Sequence, residues 1–279
     1  MSTLTQPGTA SPATVATSPI SRNALSGLVR DTGIVMVREL RPVLRDPFSL
    51  VFSLVQPLVF LALFGPLLAG SLGGADVLGG NVWQWFVPAI LVMSTLFGTA
   101  TTGSNLLYEF QTGAHERMLV TPLSRPSLLI GRSLKELVPL AGQAIVLIAV
   151  MIPFGFQLHA LGALVGLALL AVLGIGLGAL SNALATVVRK QDWMFWVVHQ
   201  TVIFPLMILS GMLLPLETGP GWMQAAATVN PLAYVVDAER ALFAGDLTAP
   251  AVAGGWLAAL LTAAGGLVLG VRVMNRSAD

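Results

Sequence analysis

The chain has 279 residues, 55% of them hydrophobic and only 10% charged, with a mean hydropathy of +0.83 and a formal net charge of +1. Soluble domains carry about 25% charged residues, so this composition excludes an ordinary water-soluble globule and points to an all-α polytopic membrane protein. Cysteine is absent, which excludes a disulfide framework, a thiol nucleophile and a cysteine-based metal site.

Residues 1–21, MSTLTQPGTASPATVATSPIS, are rich in Ser, Thr, Pro and Ala. They hold too little apolar bulk to offset the entropy of ordering, and a disordered cytoplasmic tail is expected. No apolar stretch follows a basic start, so the segment does not read as a secretory signal. From 22 to 46 the pattern changes. Leu25, Leu28, Val29, Val35, Leu40, Val43 and Leu44 recur at roughly helical spacing, with Arg30, Arg38, Glu39, Arg41 and Arg45 among them. That suits a basic amphipathic helix on an anionic membrane face; a charged helix that merely flanks the first span is the simpler alternative. Pro42 lacks an amide proton and is predicted to kink or restart the helix.

Six segments reach the roughly 20 apolar residues that a span requires. They run from Phe48 to Gly70, Trp83 to Ser104, Leu137 to Phe156, Leu158 to Val188, Trp193 to Leu214 and Ala251 to Val271, inside a six-span domain over 47–272, with a short cytoplasmic tail at 273–279. A tight hairpin near Gln157 separates the third from the fourth. Of 14 basic residues, all but Arg240 fall before the first span, between the second and third, after the fourth or after the sixth. An asymmetry this lopsided predicts both termini on the cytoplasmic side. Pro57, Pro66, Pro88, Pro139 and Pro205 mark kinks within spans. The fourth span carries Gly162 and Gly166, then Gly174 and Gly178, at GxxxG spacing, so close helix packing is expected, against its own neighbours or a second copy.

Residues 215–250 form an external region that is neither a plain loop nor a span. Two short helical stretches, 221–229 and 231–243, meet at Asn230 and Pro231, where proline suits the first helical position. Each is too short to cross, so the region is predicted to dip into the membrane and return, with Asp237 and Arg240 on its second helix. A surface lid without a role is the alternative.

The longest internal stretch dense in charge is 105–136, NLLYEFQTGAHERMLVTPLSRPSLLIGRSLKE. Leu107, Phe110, Ala114 and Met118 give one apolar stripe along a short helix, with Glu109, Thr112 and Glu116 on other faces. Such a helix suits a groove on a soluble partner or the bilayer surface equally well. Thr121-Pro122 should end it.

No enzyme site assembles from these residues. His115-Glu116 lacks the second histidine of a zinc-binding HExxH helix, and His115, His159 and His199 fall in separate segments. No GxxxxGK[ST] phosphate loop exists, so ATP would need a site on a partner. Apart from His199 and Gln200 the spans hold little that could relay a proton, which weighs against an ion- or proton-coupled secondary transporter, the runner-up reading. A packing role for His199 and a relay role both stay open. The bare spans suit an amphipathic or hydrophobic cargo.

The run YEFQTGAHERMLVTPLSRPSLLIGRSL, with two glutamates seven apart, resembles the cytoplasmic signature of the type 2 ABC transporter permeases, closest to the daunorubicin-resistance branch. RELRPVLRDPFSLVFSLVQPLVFLALFG, LSGMLLPLE and NPLAYVVDAERALF match in the same order, and the resemblance covers residues 30–272. It implies a multi-pass permease in the cytoplasmic membrane of a bacterium, exporting a drug, polyketide or lipid-like compound. The permease itself would be no enzyme and hold no cofactor; ATP and magnesium would bind two partner ATPase subunits, and a second permease copy or a related permease would complete the pair. The lipid bilayer and the cargo are the other implied partners, with no nucleic acid. Glu109, Phe110, Gly113, Glu116, Arg117, Pro122 and Arg125 would couple to the ATPase; Arg38, Glu39, Arg41 and Arg45 would belong to the interfacial helix, and Asn230, Pro231, Asp237 and Arg240 to the external region.

Overall fold

A computed structural model describes residues 24–71, 81–112, 125–135 and 137–276. Among these the structure is entirely helical: α1 (Ala24–Arg45), α2 (Pro47–Ser71), α3 (Val82–Gln111), α4 (Arg125–Lys135), α5 (Leu137–Met151), α6 (Ala160–Val187), α7 (Asp192–Ile208), α8 (Gly221–Ala227), α9 (Pro231–Phe243) and α10 (Pro250–Arg276). Five stretches are long and apolar enough to cross a membrane: 51–70, Val82–Gln111, Ile130–Phe154, Ala160–Val187 and Pro250–Arg276. The chain is therefore a multi-pass membrane protein. The tail at 1–21 lies outside the described residues.

Several boundaries differ from expectation for local reasons. α1 runs through Pro42 without a break and stops at Asp46, the residue before Pro47, where helix is sterically disfavoured; Pro47 then opens α2. The second span does not end at Ser104 but continues to Gln111 as one 30-residue helix. The fifth segment was expected to reach Leu214. Its helix instead stops at Ile208 after 17 residues, and the chain turns at Gly211 with φ +71, a conformation glycine adopts without strain. The sixth continues to Arg276, so the first four residues of the expected terminal tail are helical.

α6 is the spine. It packs most extensively on α10 and then on α3, and α9 is held between α3, α6 and α10. Glycine makes these crossings possible. A Cβ on Gly162 would lie 1.8 Å from the Leu242 carbonyl oxygen of α9. Two heptads further along α6, a Cβ on Gly176 would lie 2.7 Å from the Ala263 backbone of α10. The first GxxxG pair thus seats α9 within the same chain. In the second pair Gly174 meets only a Thr95 methyl at 3.6 Å; Gly176, between the two glycines singled out, makes the close crossing.

The expected hairpin at Gln157 is present. Gly155, at φ +95, turns the chain, and Asn81 Nδ2 donates to its carbonyl at 2.7 Å. Gln84 holds the hairpin to the end of α9: its Nε2 donates to Phe243 O at 2.6 Å, and its Oε1 accepts from Gln157 N at 3.0 Å.

Overpacking against a backbone costs about 1–3 kcal/mol, so Gly162→Ala should lower the thermal midpoint in detergent. Gly265→Ala, where the added methyl meets nothing within 4 Å, should leave it unchanged or raise it slightly. Equal midpoints for the two variants would contradict the α6–α9 seat.

Candidate functional site

Among the described residues, every arginine and lysine but Arg240 lies on α1 or α4, just after α6 or in the last turns of α10, and at this end α1 and α4 pack together and α4 touches α6 and α10. Within that end four charges stand side by side, the two cations buried and the two carboxylates half-buried. Arg132 and Lys135 of α4 are each only 4% exposed. Glu109, in the last turn of α3, forms an ion pair with Arg132. Glu39 of α1 lies between the cations, Oε1 3.9 Å from Arg132 Nε and Oε2 3.9 Å from Lys135 Nζ.

Two anions and two cations cancel, which is what permits their burial: an unpaired charge away from water costs several kcal/mol, while a paired one roughly breaks even. The cluster contributes registry. It joins α1, the end of α3 and α4, and so brackets the segment between Thr112 and Arg125. Glycine tightens the same junction, since a Cβ on Gly131 of α4 would lie 2.8 Å from the Val35 side chain of α1.

The sequence-predicted residues divide accordingly. Glu109 and Phe110 belong to α3 rather than to a separate short helix. The apolar stripe expected to face a partner turns inward at its start: Leu107 is buried with Leu106, Ala185, Val188 and Phe195, and Phe110 packs against that group. Gly113, Ala114, Glu116, Arg117, Met118 and Pro122 lie outside the described residues, and Arg125 is the first residue of α4. Of the predicted interfacial set, Arg38, Arg41 and Arg45 stand exposed with Ile34, Val37 and Leu44, whereas Glu39 faces the cluster. α1 therefore presents a basic, apolar face outward and a carboxylate inward.

Above the cluster opens a cavity of about 840 Å³ lined by residues of all seven helices from α1 to α7, within the range of small-molecule sites. Glu39, Asp46, Glu109 and Lys135 line its charged end, and Ser94, Gly98, Thr101 and Ser104 form the α3 wall. From α7, His199 and Gln200 line it. The His199 ring stacks on Phe195, centroids 5.8 Å apart and planes 14° from parallel. Sequence reasoning missed the cavity. Its signal was the spacing of Ser94, Thr101 and Ser104, which share a face of α3.

At the opposite end, Asn230, Pro231, Asp237 and Arg240 all belong to α9. Asn230 caps it, accepting from Leu232 N at 3.0 Å while donating to Leu206 O of α7 at 2.8 Å, and Pro231 fills the first helical position. The Arg240 guanidinium lies over the Trp85 ring, 3.7 Å from its centroid. It donates to Trp85 O at 3.2 Å and Gly211 O at 2.8 Å, and its Nη1 lies 3.5 Å from Asp237. Burial draws its pKa down to about 10, which leaves it charged at neutral pH. One residue thus clasps α3, α9 and the turn after α7.

α9 also holds a residue not anticipated. Glu239 is 0% exposed and shares a helix face with Leu232, Val235, Val236, Leu242 and Phe243; its carboxylate abuts Gly166 of α6 and neither oxygen has a hydrogen-bond partner. The helical spacing of those apolar neighbours was the available signal. Burial pushes its carboxyl up to about 8, so it is neutral at pH 7.

An all-helical bundle with several apolar helices of spanning length is the architecture of a polytopic membrane protein. The family model for ABC-2 type transporter matches residues 30–244, and the chain belongs to that family, whose members are membrane components of ABC transporters that work with ATP-binding subunits. It is 26% identical over 201 residues to a daunorubicin resistance ABC transporter permease from Streptomyces coeruleorubidus, covering 71% of this chain and 70% of the relative. It is 30% identical over 201 residues to a putative transport permease from Cyanophora paradoxa, covering 71% and 69%. A probable doxorubicin resistance ABC transporter permease from Mycobacterium tuberculosis is 25% identical over 229 residues, covering 81% and 82%.

Folded Glu239 holds its proton from about pH 4.5 to about 8, where an unfolded glutamate has already released it. Stability should therefore fall as pH rises through that window. Glu239→Gln is expected to flatten the fall, read as the thermal midpoint against pH in detergent; parallel curves for variant and wild type would refute the assignment.

Proposed function

We propose that the chain is the transmembrane permease subunit of an ATP-driven exporter that moves an amphipathic or hydrophobic compound out of a bacterial cell across the cytoplasmic membrane. Two ATP-binding-cassette subunits supply ATP and magnesium, and a second permease, identical or related, completes the complex. The chain itself hydrolyses nothing. The observation that carries this reading is the buried cluster at the base of the cavity, whose members stand on both sides of the segment from 113 to 124.

In this reading the segment docks on the ATPase. When nucleotide binding closes the ATPase pair, the pull falls on the ends of α3 and α4, and Glu109 and Arg132 share it. Because Glu39, Glu109 and Lys135 also line the cavity, a shift between α3 and α4 reshapes its charged mouth. Cargo thus meets a mouth whose geometry follows the nucleotide state. The sidedness follows the charge map: six crossings, α7 being the short one, both termini inside, and α8 and α9 dipping from outside.

Two experiments test the proposal. Glu109→Arg and Arg132→Glu should each leave a buried charge uncompensated, at a cost of about 3–5 kcal/mol, and lower daunorubicin-stimulated ATPase activity of the purified complex about tenfold or more. The double exchange should restore much of both. Restored stability with coupling still lost would limit the cluster to a structural role. For sidedness, Gly219→Cys and Ala244→Cys should react with an impermeant thiol reagent on intact cells and Thr112→Cys should not; the reverse pattern would invert the map.

A further inference from the structure

We propose that Glu239 is a proton-binding site that latches α9 into its seat between α3, α6 and α10. Protonated, it keeps α9 down; loss of the proton parts α9 from α6 while α3 still holds it. The assignment deepens the exporter reading and rests on it only for which side of the membrane supplies the proton. Three observations carry it.

First, the seat leaves no room to hydrate a charge. Glu239 is 0% exposed, and neither carboxyl oxygen has a hydrogen-bond partner. A Cβ on Gly166 of α6 would lie 2.5 Å from Glu239 Oε2 and 3.0 Å from the Phe243 ring, so the carboxyl fills the hollow that this glycine leaves. One turn earlier, Gly162 receives the Leu242 carbonyl in the same way.

Second, no cation reaches the carboxyl. Among the described residues, 82–95 of α3, 160–175 of α6, 203–216 at and beyond the end of α7 and 250–263 of α10 contain no ionisable side chain. His159, just before α6, turns its Nδ1 to Phe243 O, 3.0 Å away. On α9 itself Asp237 and Arg240 pair with each other, with Glu217 acting on both, and Tyr234 donates to Thr228 O. An anion in the hollow would be both unpaired and unsolvated. The neutral acid is the form that the seat accepts.

Third, α9 ties the surrounding helices together. It packs on α10, α3 and α6. Arg240 donates to Trp85 O and Gln84 to Phe243 O, and these ties to α3 do not involve Glu239; the seat on α6 does. A seated carboxyl neutral up to about pH 8, and ionised above about 4.5 once released, makes opening easier as pH rises between those values, by up to about tenfold per pH unit, and no further beyond them. With α9 on the outer side, acid outside keeps the seat closed.

Amide hydrogen exchange of the full-length chain with its partner subunits in nanodiscs, without nucleotide or cargo, tests the latch. Rates are corrected for the intrinsic rise of exchange with pH. Protection of amides 235–243 should fall about tenfold between pH 6 and pH 7, while that of 86–93 in α3 holds. In Glu239→Gln, and in Glu239→Met, whose side chain is unbranched and of similar length, protection should not vary with pH. Constant protection in the wild type, the wild-type slope in either variant, or an equal loss in α3 would each overturn the assignment. So would failure of both variants to fold, because a seat that takes the neutral acid takes neutral replacements. Both membrane faces meet the same pH in a nanodisc, so the result is independent of sidedness. A failure of the exporter reading appears separately, as a working latch in a chain that leaves the partner ATPase unaffected.

Discussion

Burying charge in a membrane bundle demands that every charge be matched, and at the basic end of this protein two glutamates and two cations meet that demand from three helices. Glu39 belongs to α1, Glu109 to α3, and Arg132 and Lys135 to α4. None of the three helices can slide past the others without separating a pair where water cannot easily replace it. The position of α1 against the bundle, the exit of α3 and the entry of α4 are thereby one structural decision. The cavity inherits its shape at the charged end from the same four side chains.

Much of the helical architecture was legible in the sequence because the apolar length that a bilayer demands of a span is a coarse, additive signal. The two short helices α8 and α9 could be read from Asn230-Pro231, since a capping side chain followed by proline specifies a helix start within one residue. Helix ends were harder. Nothing in the local pattern at Ser104 separates a span that stops from one that continues to Gln111, because the added two turns are held by Leu107 and Phe110 packing on α6 and α7 residues distant in sequence. The same amphipathic stripe that suggests a docking helix serves a long helix that buries its own end.

The site was legible as residue types and not as an arrangement. Glu109, Arg132 and Lys135 stood out as charges in one stretch, but Glu39 enters from 70 residues away, and the pairing depends on α4 folding back against α1. Glu239 escaped notice for the opposite reason: in a segment read as external a carboxylate looks solvated, and only the seating of α9 on Gly162 and Gly166 takes it out of water. Glycine spacing announced a close crossing but did not name the partner helix.

The turn at Gly211 leaves α7 only 17 residues long, a rise of about 26 Å against a hydrocarbon core of about 30 Å. A helix with that deficit stands nearly upright or draws the leaflets together around it. α7 carries His199 and Gln200 on the cavity side and Trp193, Trp196 and Ile208 on its exposed surface. In the proposed six-span arrangement α7 is the crossing with that deficit, and hydrophobic mismatch then concentrates beside the cavity wall, so that acyl-chain length acts on the cavity from outside the protein.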